Sequence, residues 1–156
     1  MKSLLEEGLR RPPVIAVDTN VLVYAHRRDS EFHRAAAAKV RELAEGRAPW
    51  ALPWPCLHEF FSIVTHPRIY DPPSRVDQAL GQIDAWLETA SAVLLAEDET
   101  YRPRLRDLLA DGKISGPAVH DARIAALCLT HGVQALWTAD RDFTRFPRLR
   151  TVNPLI

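Results

Sequence analysis

Cysteine, lysine and net charge are all scarce in this chain of 156 residues. The two cysteines, Cys56 and Cys128, lie in apolar contexts and form no CxxC pair, so we predict two buried thiols in a reducing compartment and no zinc site. Only three of the 20 basic residues are lysines, and the charge of all 20 basic residues is balanced by 20 acidic residues. The balance argues against a disordered tail protein and against a purely electrostatic nucleic-acid coat protein.

Long apolar runs are also missing. No window approaches the roughly 18 apolar residues that a membrane span needs, and the first residues, MKSLLEEGLRRPP, lack the apolar core of a signal peptide. We therefore expect a cytoplasmic protein with no membrane contact. Residues 1–13 read as a polar leader that can be disordered, and residues 14–156 as a single domain.

Short apolar runs alternate with helical patterns along the rest of the chain. The helical patterns cover residues 31–46, 56–66, 74–89, 101–110 and 117–132. In the third of these helical patterns, residues 74–89, Ser74 is a candidate N-cap and the apolar stripe contains Val76, Leu80, Ile83 and Leu87. The predicted strands are residues 14–18, 50–53, 92–96, 135–138 and, with a weaker pattern, 149–153. This alternation is typical of an α/β fold with a parallel sheet.

Acidic residues follow two of the predicted strands. Asp18 ends the first strand, and Asp140 comes two residues after Thr138 at the end of the fourth, with Asp142 close behind. Ligands of open parallel sheets bind beyond the carboxyl ends of the strands. Taken singly, each residue also has an ordinary interpretation, since Asp18 could cap a helix and Asp140 could form a turn.

Asp121 interrupts the apolar face of its predicted helix, in register with Ala125 and Cys128. A buried carboxylate without a partner costs several kcal/mol, which exceeds what a nearby helix N-terminus supplies. The partner is therefore either a metal ion or an arginine from elsewhere in the fold. Arg123 is close in sequence but points to another face of the helix.

Glu59 and the histidines carry weaker signals. Glu59 projects opposite the apolar stripe of its helix, where an ordinary solvated glutamate would also lie. None of the six histidines has an HxH or HExxH spacing, so His58 and His120 read as ordinary polar positions or as groups that support a neighbouring site.

The acidic positions say more together than singly. Two like charges 4 Å apart repel by about 4 kcal/mol at an effective dielectric constant of 20, so clustered carboxylates need a counter-ion. Oxygen-only ligands select a hard cation, which predicts Mg²⁺ or Mn²⁺. Such a site is suited to the hydrolysis of phosphodiester bonds and needs no serine or cysteine nucleophile.

Four segments of the chain occur in an order that matches a known family: VDTNVLVYA, HEFFSIVTHPRIY, HDARIAALCLTHG and TADRDFTRFPRLRTVNPL. Together they resemble the PIN domain of VapC-type toxins from bacterial toxin–antitoxin systems, from about Val14 to Ile156. The resemblance implies a three-layer α/β/α sandwich around a central, mostly parallel sheet of four to five strands. It also implies an Mg²⁺- or Mn²⁺-dependent endoribonuclease, a VapB-type antitoxin as partner, and a homodimer.

The resemblance also assigns roles to individual residues. It implies that Asp18 and Asp121 are the principal metal ligands, that Glu59 and Asp140 complete the acidic pocket, and that Asp142 supports it. Supporting hydrogen bonds are expected from Asn20 and Thr138. Phosphates of an RNA substrate are expected near Arg141 and Arg145, with Arg148 and Arg150 as further candidates.

Two other functions remain open at this stage. A receiver-like phosphoacceptor domain also places carboxylates and Mg²⁺ at strand ends, but it needs a lysine near the last strand, and Lys113 is the only lysine after residue 39. A binding module could hold RNA or an antitoxin without cutting. Trp50, Trp54 and Trp86 are either core residues or the lining of a groove for a partner, and Trp137 is expected in the core.

Overall fold

The structure, a computed structural model, describes residues 13–156. The predicted leader therefore lies outside the described residues, except for Pro13. A five-stranded sheet in the order β3-β2-β1-β4-β5 forms the centre, and every neighbouring pair of strands is parallel. This confirms the mostly parallel sheet. The strands are β1 (Ile15–Val17), β2 (Trp50–Pro53), β3 (Ala92–Leu95), β4 (Ala135–Trp137) and β5 (Thr151–Val152).

Six α-helices alternate with these strands. They are α1 (Thr19–His26), α2 (His33–Glu45), α3 (Trp54–Val64), α4 (Val76–Leu87), α5 (Tyr101–Asp111) and α6 (Val119–Thr130), with short 3₁₀ turns at Gly116–Ala118 and Arg141–Arg145. All four residues of β2 are buried, as are Ala16 and Val17 of β1. Because successive side chains of a strand point to opposite faces, burial of both means that the sheet is covered on both sides. The α/β sandwich predicted from the sequence is confirmed.

Two helix starts differ from the pattern. Helix α3 begins at Trp54 instead of residue 56, since Pro55 fits the first turn, where its missing N–H is not needed. The prediction that Ser74 caps α4 is wrong, because Arg75 holds that position. The Ser74 side chain is instead buried and lies 2.9 Å from Nε2 of His26.

The apolar stripe predicted for α4 is also wrong in part. Val76 and Leu80 are 58% and 49% exposed, whereas Ala79 and Trp86 are buried in the core. The buried face is therefore rotated from the predicted one toward Trp86. The Trp86 ring meets Phe60 of α3 edge to face, with 4.9 Å between the ring centroids, so a large aromatic contact decides which face of α4 packs inward.

The other aromatic and sulfur side chains mostly behave as core residues. Trp50 is fully buried, and Cys56 and Cys128 are free, buried thiols, as predicted. Trp54 and Trp137 are only half-buried, so the expectation that Trp137 lies in the core is met only in part. No helix within residues 13–156 has the length and apolar character of a membrane span.

The pairing of β1 with β4 brings distant parts of the chain together. Val17 lies opposite Trp137 in the parallel register, so the next residues, Asp18 and Thr138, leave the sheet side by side at its carboxyl edge. The Asp18 N–H still donates to the Trp137 carbonyl at 2.9 Å, and the Thr138 N–H donates to the Val152 carbonyl at 2.9 Å. The central strands thereby fix the backbone at the start of both loops.

Candidate active site

Asp18 is a buried carboxylate, only 4% exposed, at the junction of β1 and α1. Its Oδ2 accepts the Thr138 hydroxyl at 2.7 Å, and its Oδ1 accepts the Thr19 N–H at 2.8 Å. The Cys56 thiol donates to the same Oδ1 at 3.5 Å. The capping interpretation of Asp18 is therefore correct, and it coexists with a position at the carboxyl edge of the sheet.

The charge of Asp18 has no cation beside it. Burial raises the pKa of the Asp18 carboxyl from 3.8 to about 6, with a small further contribution from the negative charge of Glu59 and opposing contributions from its hydrogen bonds. Within residues 13–156, Asp18 forms no salt bridge, and the salt bridges found there pair arginine or lysine with other acidic residues. A carboxylate held in this way is stabilised by an added cation.

Thr138 and Asn20 hold this carboxylate in place. The Thr138 hydroxyl oxygen accepts the Asp140 N–H at 2.9 Å and an N–H of the Asn20 amide at 3.3 Å, while its own proton goes to Asp18. The Asn20 Oδ1 accepts the Ala139 N–H at 3.2 Å. These bonds tie the first turn of α1 to the loop after β4, at the positions where the sequence predicts supporting groups.

Three carboxylates form a tight cluster next to this network. One oxygen each of Asp121, Asp140 and Asp142 lies within 4.8 Å of the others. Asp121 comes from the first turn of α6, and Asp140 and Asp142 come from the loop after β4. The Asp142 N–H donates to Oδ1 of Asp140 at 2.8 Å, so the turn predicted at Asp140 is also present.

Asp121 is half-buried, and its carboxylate is repelled by other negative charges nearby. Burial raises its pKa, and the charges of Asp140, Asp142 and Glu59 raise it further, while Arg145 partly offsets them. Arg145 makes no salt bridge with Asp121 in the described part of the chain, and Arg123 pairs with Glu97 at 2.8 Å. An arginine was one of the two partners considered for Asp121, and no ion pair of this kind is present among residues 13–156.

Glu59 of α3 is linked to the Asp18 side of the site through Thr19. It is half-buried, and its Oε2 accepts the Thr19 hydroxyl at 2.9 Å. Its charge raises the pKa of both Asp18 and Asp121, which places it within electrostatic reach of each. The helix pattern pointed to a solvated glutamate, because periodicity cannot show that the first turn of α1 packs against this side of α3.

Thr19 and Cys56 also contribute to the site, and sequence reasoning missed both. Thr19 uses its backbone N–H on Asp18 and its hydroxyl on Glu59. Its position directly after Asp18, in the first turn of a helix, was the available signal. Burial raises the pKa of the Cys56 thiol well above its ordinary value, so this group stays protonated and serves Asp18 as a donor.

The donor chemistry of the site fits a hard divalent cation. All five acidic residues offer carboxylate oxygens, and no histidine or cysteine joins the tight cluster found in the described residues. Mg²⁺ and Mn²⁺ prefer such oxygen ligands. The buried Asp18 carboxylate and the mutual repulsion at Asp121 are both features that a bound cation would stabilise.

Two of the four predicted phosphate-binding arginines lie in the turn that follows Asp140, whereas Arg150, which precedes β5, lies at the opposite edge of the sheet. Arg141 and Arg145 belong to the 3₁₀ turn that follows Asp140, and Nε of Arg145 donates to the Asp142 carbonyl at 3.1 Å. Arg145 also lines a cleft of about 380 Å³ together with Arg104 and Arg148. Arg150 is exposed at the start of β5.

Comparison with known proteins decides the family. The model of the PIN domain matches residues 15–149, which include all five carboxylates. This chain belongs to the PIN domain family. Ribonuclease VapC43 of Mycobacterium tuberculosis is 36% identical to this PIN domain over 143 residues, covering 91% of this chain and 96% of that protein. The receiver-like alternative is thereby set aside.

Solved structures show the same fold. VapBC2 from Rickettsia felis, bound to a DNA fragment from its promoter, contains a chain that matches this PIN domain with a TM-score of 0.66 and 18% identity, covering 89% and 97% of the two chains. Mycobacterium tuberculosis VapC20, described as a sarcin–ricin loop cleaving toxin, matches with a TM-score of 0.62 and 15% identity, covering 83% and 92%. These likenesses confirm the PIN-like α/β architecture.

Replacing Asp18 with Asn should make the stability of the metal-free protein less sensitive to pH. Because the folded-state pKa is raised to about 6 from 3.8, the parent binds this proton more tightly when folded and loses stability as pH rises through this window. Between pH 4 and pH 8, the free energy of unfolding of Asp18→Asn relative to the parent should shift by about 2.4 kcal/mol in favour of the variant. Urea unfolding at both pH values, in the presence of a chelator, measures this shift in the free energy of unfolding.

The matched control is Asp84→Asn, on the exposed side of α4. Its stability relative to the parent should hardly change between the two pH values. If Asp18→Asn behaved like this control, the buried, unpaired state of Asp18 would be disproved.

Proposed function

We propose that this PIN domain is a metal-dependent endoribonuclease, the toxin component of a toxin–antitoxin system, and that residues 14–156 are its single nuclease domain. The observation that carries the proposal is a group of carboxylates at the edge of the sheet that form no salt bridge within residues 13–156. A relative named a ribonuclease, 36% identical over nearly the whole chain, supports the reaction class.

We assign Asp18 and Asp121 as the principal metal ligands, with Glu59 and Asp140 completing the pocket and Asp142 supporting it. The metal is Mg²⁺ or Mn²⁺. When bound, such an ion activates water and offsets the negative charge that develops on the phosphate. The half-buried positions of Asp121 and Glu59 keep their charges partly shielded from solvent, which strengthens their attraction for the ion.

The remaining site residues orient the ligands. Thr138 and Asn20 hold the Asp18 carboxylate through a chain of hydrogen bonds, and Thr19 holds Glu59. Ligands fixed in this way lose little conformational entropy when the ion binds. Helix α1 therefore contributes to catalysis by positioning two carboxylates through its first two residues.

Arg141 and Arg145 are proposed to bind RNA phosphates beside the acidic cluster. Arg145 partly offsets the charge repulsion at Asp121 and also lines the cleft that contains Arg104 and Arg148. The lining of this cleft also includes Asp107 and Asp111, so its positive charge is only partial. Guanidinium groups beside the acidic cluster nevertheless suit a polyanion whose scissile phosphate must approach a metal ion, and we propose that the strand reaches the site past Arg145.

We propose a VapB-type antitoxin as protein partner and a homodimer as the toxin's own assembly. The similarity to chains of VapBC complexes supports the first. Exposed apolar side chains on α4 and β3 offer surface that protein contacts would cover: Val76, Leu80, Val93 and Leu94.

Light scattering of the purified protein should give twice the chain mass of 17.6 kDa, and a monomer at working concentration would contradict the dimer.

Asp121→Asn should abolish RNA cleavage while leaving the fold intact. The substitution keeps the side-chain size and removes one negative charge from the tight cluster, so metal affinity falls and the scissile phosphate loses its counter-ion. We expect at least a hundredfold loss of rate, on the order of 3 kcal/mol in the barrier. The assay is cleavage of total cellular RNA with Mn²⁺, with Mg²⁺ or with a chelator.

The control for this experiment is again Asp84→Asn, which should cut like the parent. Metal-dependent cutting by the parent and the control, with none by Asp121→Asn, is the expected result. A folded parent that binds Mn²⁺ and RNA but cuts none of the supplied RNA would favour the non-catalytic binding module.

Arg145→Ala should weaken RNA binding in a salt-dependent manner. If Arg145 contacts one phosphate, its removal should make the plot of log affinity against log salt shallower by about 0.7. The slope is measured by fluorescence anisotropy with an intact oligonucleotide that the parent protein can cleave, in the presence of a chelator that prevents cleavage. Arg47→Ala, exposed in the loop that precedes β2 at the opposite edge of the sheet, should leave it unchanged. Equal slopes for both variants would exclude Arg145 from the phosphate contacts.

A further inference from the structure

A second pocket adjoins the acidic site between α3 and α6. It has a volume of about 310 Å³ and is lined by Pro55, His58, Glu59, His120 and Arg123. Glu59 belongs both to this pocket and to the acidic site. A group that occupies the pocket therefore lies directly beside the carboxylates, which is where a nucleotide next to the scissile phosphate would be found.

Helix geometry explains why the two sites adjoin. His58 precedes Glu59 on α3, and His120 precedes Asp121 on α6. Consecutive residues of a helix differ in direction by about 100°, so each imidazole is displaced to one side of its neighbouring carboxylate. Both histidines are exposed, and the His58 ring stacks on Trp54 with 5.3 Å between centroids and 25° between planes.

Arg123 supplies the hydrogen-bond donors of the pocket. Its Nε and one terminal nitrogen donate to Glu97 Oε1 at 3.0 and 2.8 Å, which holds the guanidinium plane in position. A guanidinium has five N–H groups, so N–H groups that do not face Glu97 remain for a ligand. The pairing also offsets the charge of Arg123, because Glu97 is within salt-bridge distance.

The charges around the pocket favour an uncharged ligand over a phosphate. Glu59 forms one wall and Glu97 lies behind Arg123, so an anion entering here would meet two carboxylates and one guanidinium. A neutral, planar ring meets aromatic faces and free N–H donors instead. RNA bases that are unstacked from a single strand are commonly bound by such stacking surfaces and donors.

We propose that this pocket binds one unstacked base of the RNA next to the scissile phosphate and sets the sequence preference of cleavage. His58 and His120 stack against the base, and the free N–H groups of Arg123 donate to its acceptor atoms, an arrangement that favours guanine through O6 and N7. The proposal rests on the ribonuclease function, since it requires an RNA strand at the acidic site.

The test uses a pool of RNA oligonucleotides with randomised sequence, cut by the full-length protein with Mn²⁺ and sequenced at the new ends. The parent should show a base preference at one position beside the cut. Arg123→Gln should lose that preference. His58→Ala and His120→Ala should each weaken binding of the best-cut oligonucleotide about tenfold, measured by anisotropy in a chelator. Thermal unfolding confirms that each variant is folded.

The matched control is His66→Ala. This histidine follows the carboxyl end of α3, about 12 Å along the helix from His58 at 1.5 Å per residue, and its Nδ1 accepts the Arg68 N–H at 3.0 Å, so its substitution should change neither preference nor affinity. Parent cleavage without a base preference beside the cut, or a preference that survives Arg123→Gln and both histidine variants, would overturn the pocket's role. Absence of any cleavage by folded parent would instead overturn the ribonuclease function on which it rests.

Discussion

The hydrogen bond from the Thr138 hydroxyl to the Asp18 carboxylate is the contact on which the acidic site depends. It joins the ends of β1 and β4, the neighbouring strands at the centre of the sheet. Because the Thr138 oxygen already accepts two N–H groups, from Asn20 and Asp140, its proton has only one direction left. One side chain therefore sets the orientation of Asp18 and the start of the loop that carries Asp140.

This arrangement is costly for the folded protein in the absence of a ligand. Asp18 is buried without a cation, and Asp121 is surrounded by three other carboxylates. Repulsion of this kind is tolerated because the β1–β4 pair and the buried faces of α1, α3 and α6 keep the residues in place. The divalent ion proposed for this site would relieve the same repulsion that weakens the metal-free fold, so stability and the proposed function are opposed at this edge of the sheet.

Much of the fold was predictable, because five short apolar runs alternate with helices and each run became a strand. The acidic residues after β1 and β4 were also predictable, since parallel strands bring their carboxyl ends to one edge. Periodicity failed where tertiary contacts decide. Tertiary packing exposes Val76, which periodicity placed on the buried stripe, and it gives Ser74 a buried partner where periodicity predicted a cap. Periodicity also could not show that α1 packs beside Glu59. The pocket at His58, His120 and Arg123 joins two helices that lie far apart in sequence, so no local pattern reveals it.

The distance along the chain between Asp18 and Thr138 has a consequence for synthesis. The two residues are 120 positions apart, and Asp140 and Asp142 come later still. A chain emerging from the ribosome therefore exposes Asp18 long before Thr138 has been synthesised, and at that point β1 cannot yet pair with β4. Folding of the centre of the sheet must wait for this late, long-range pairing. A nascent chain of this protein is thus without an assembled acidic centre until residues 138–142 have been translated.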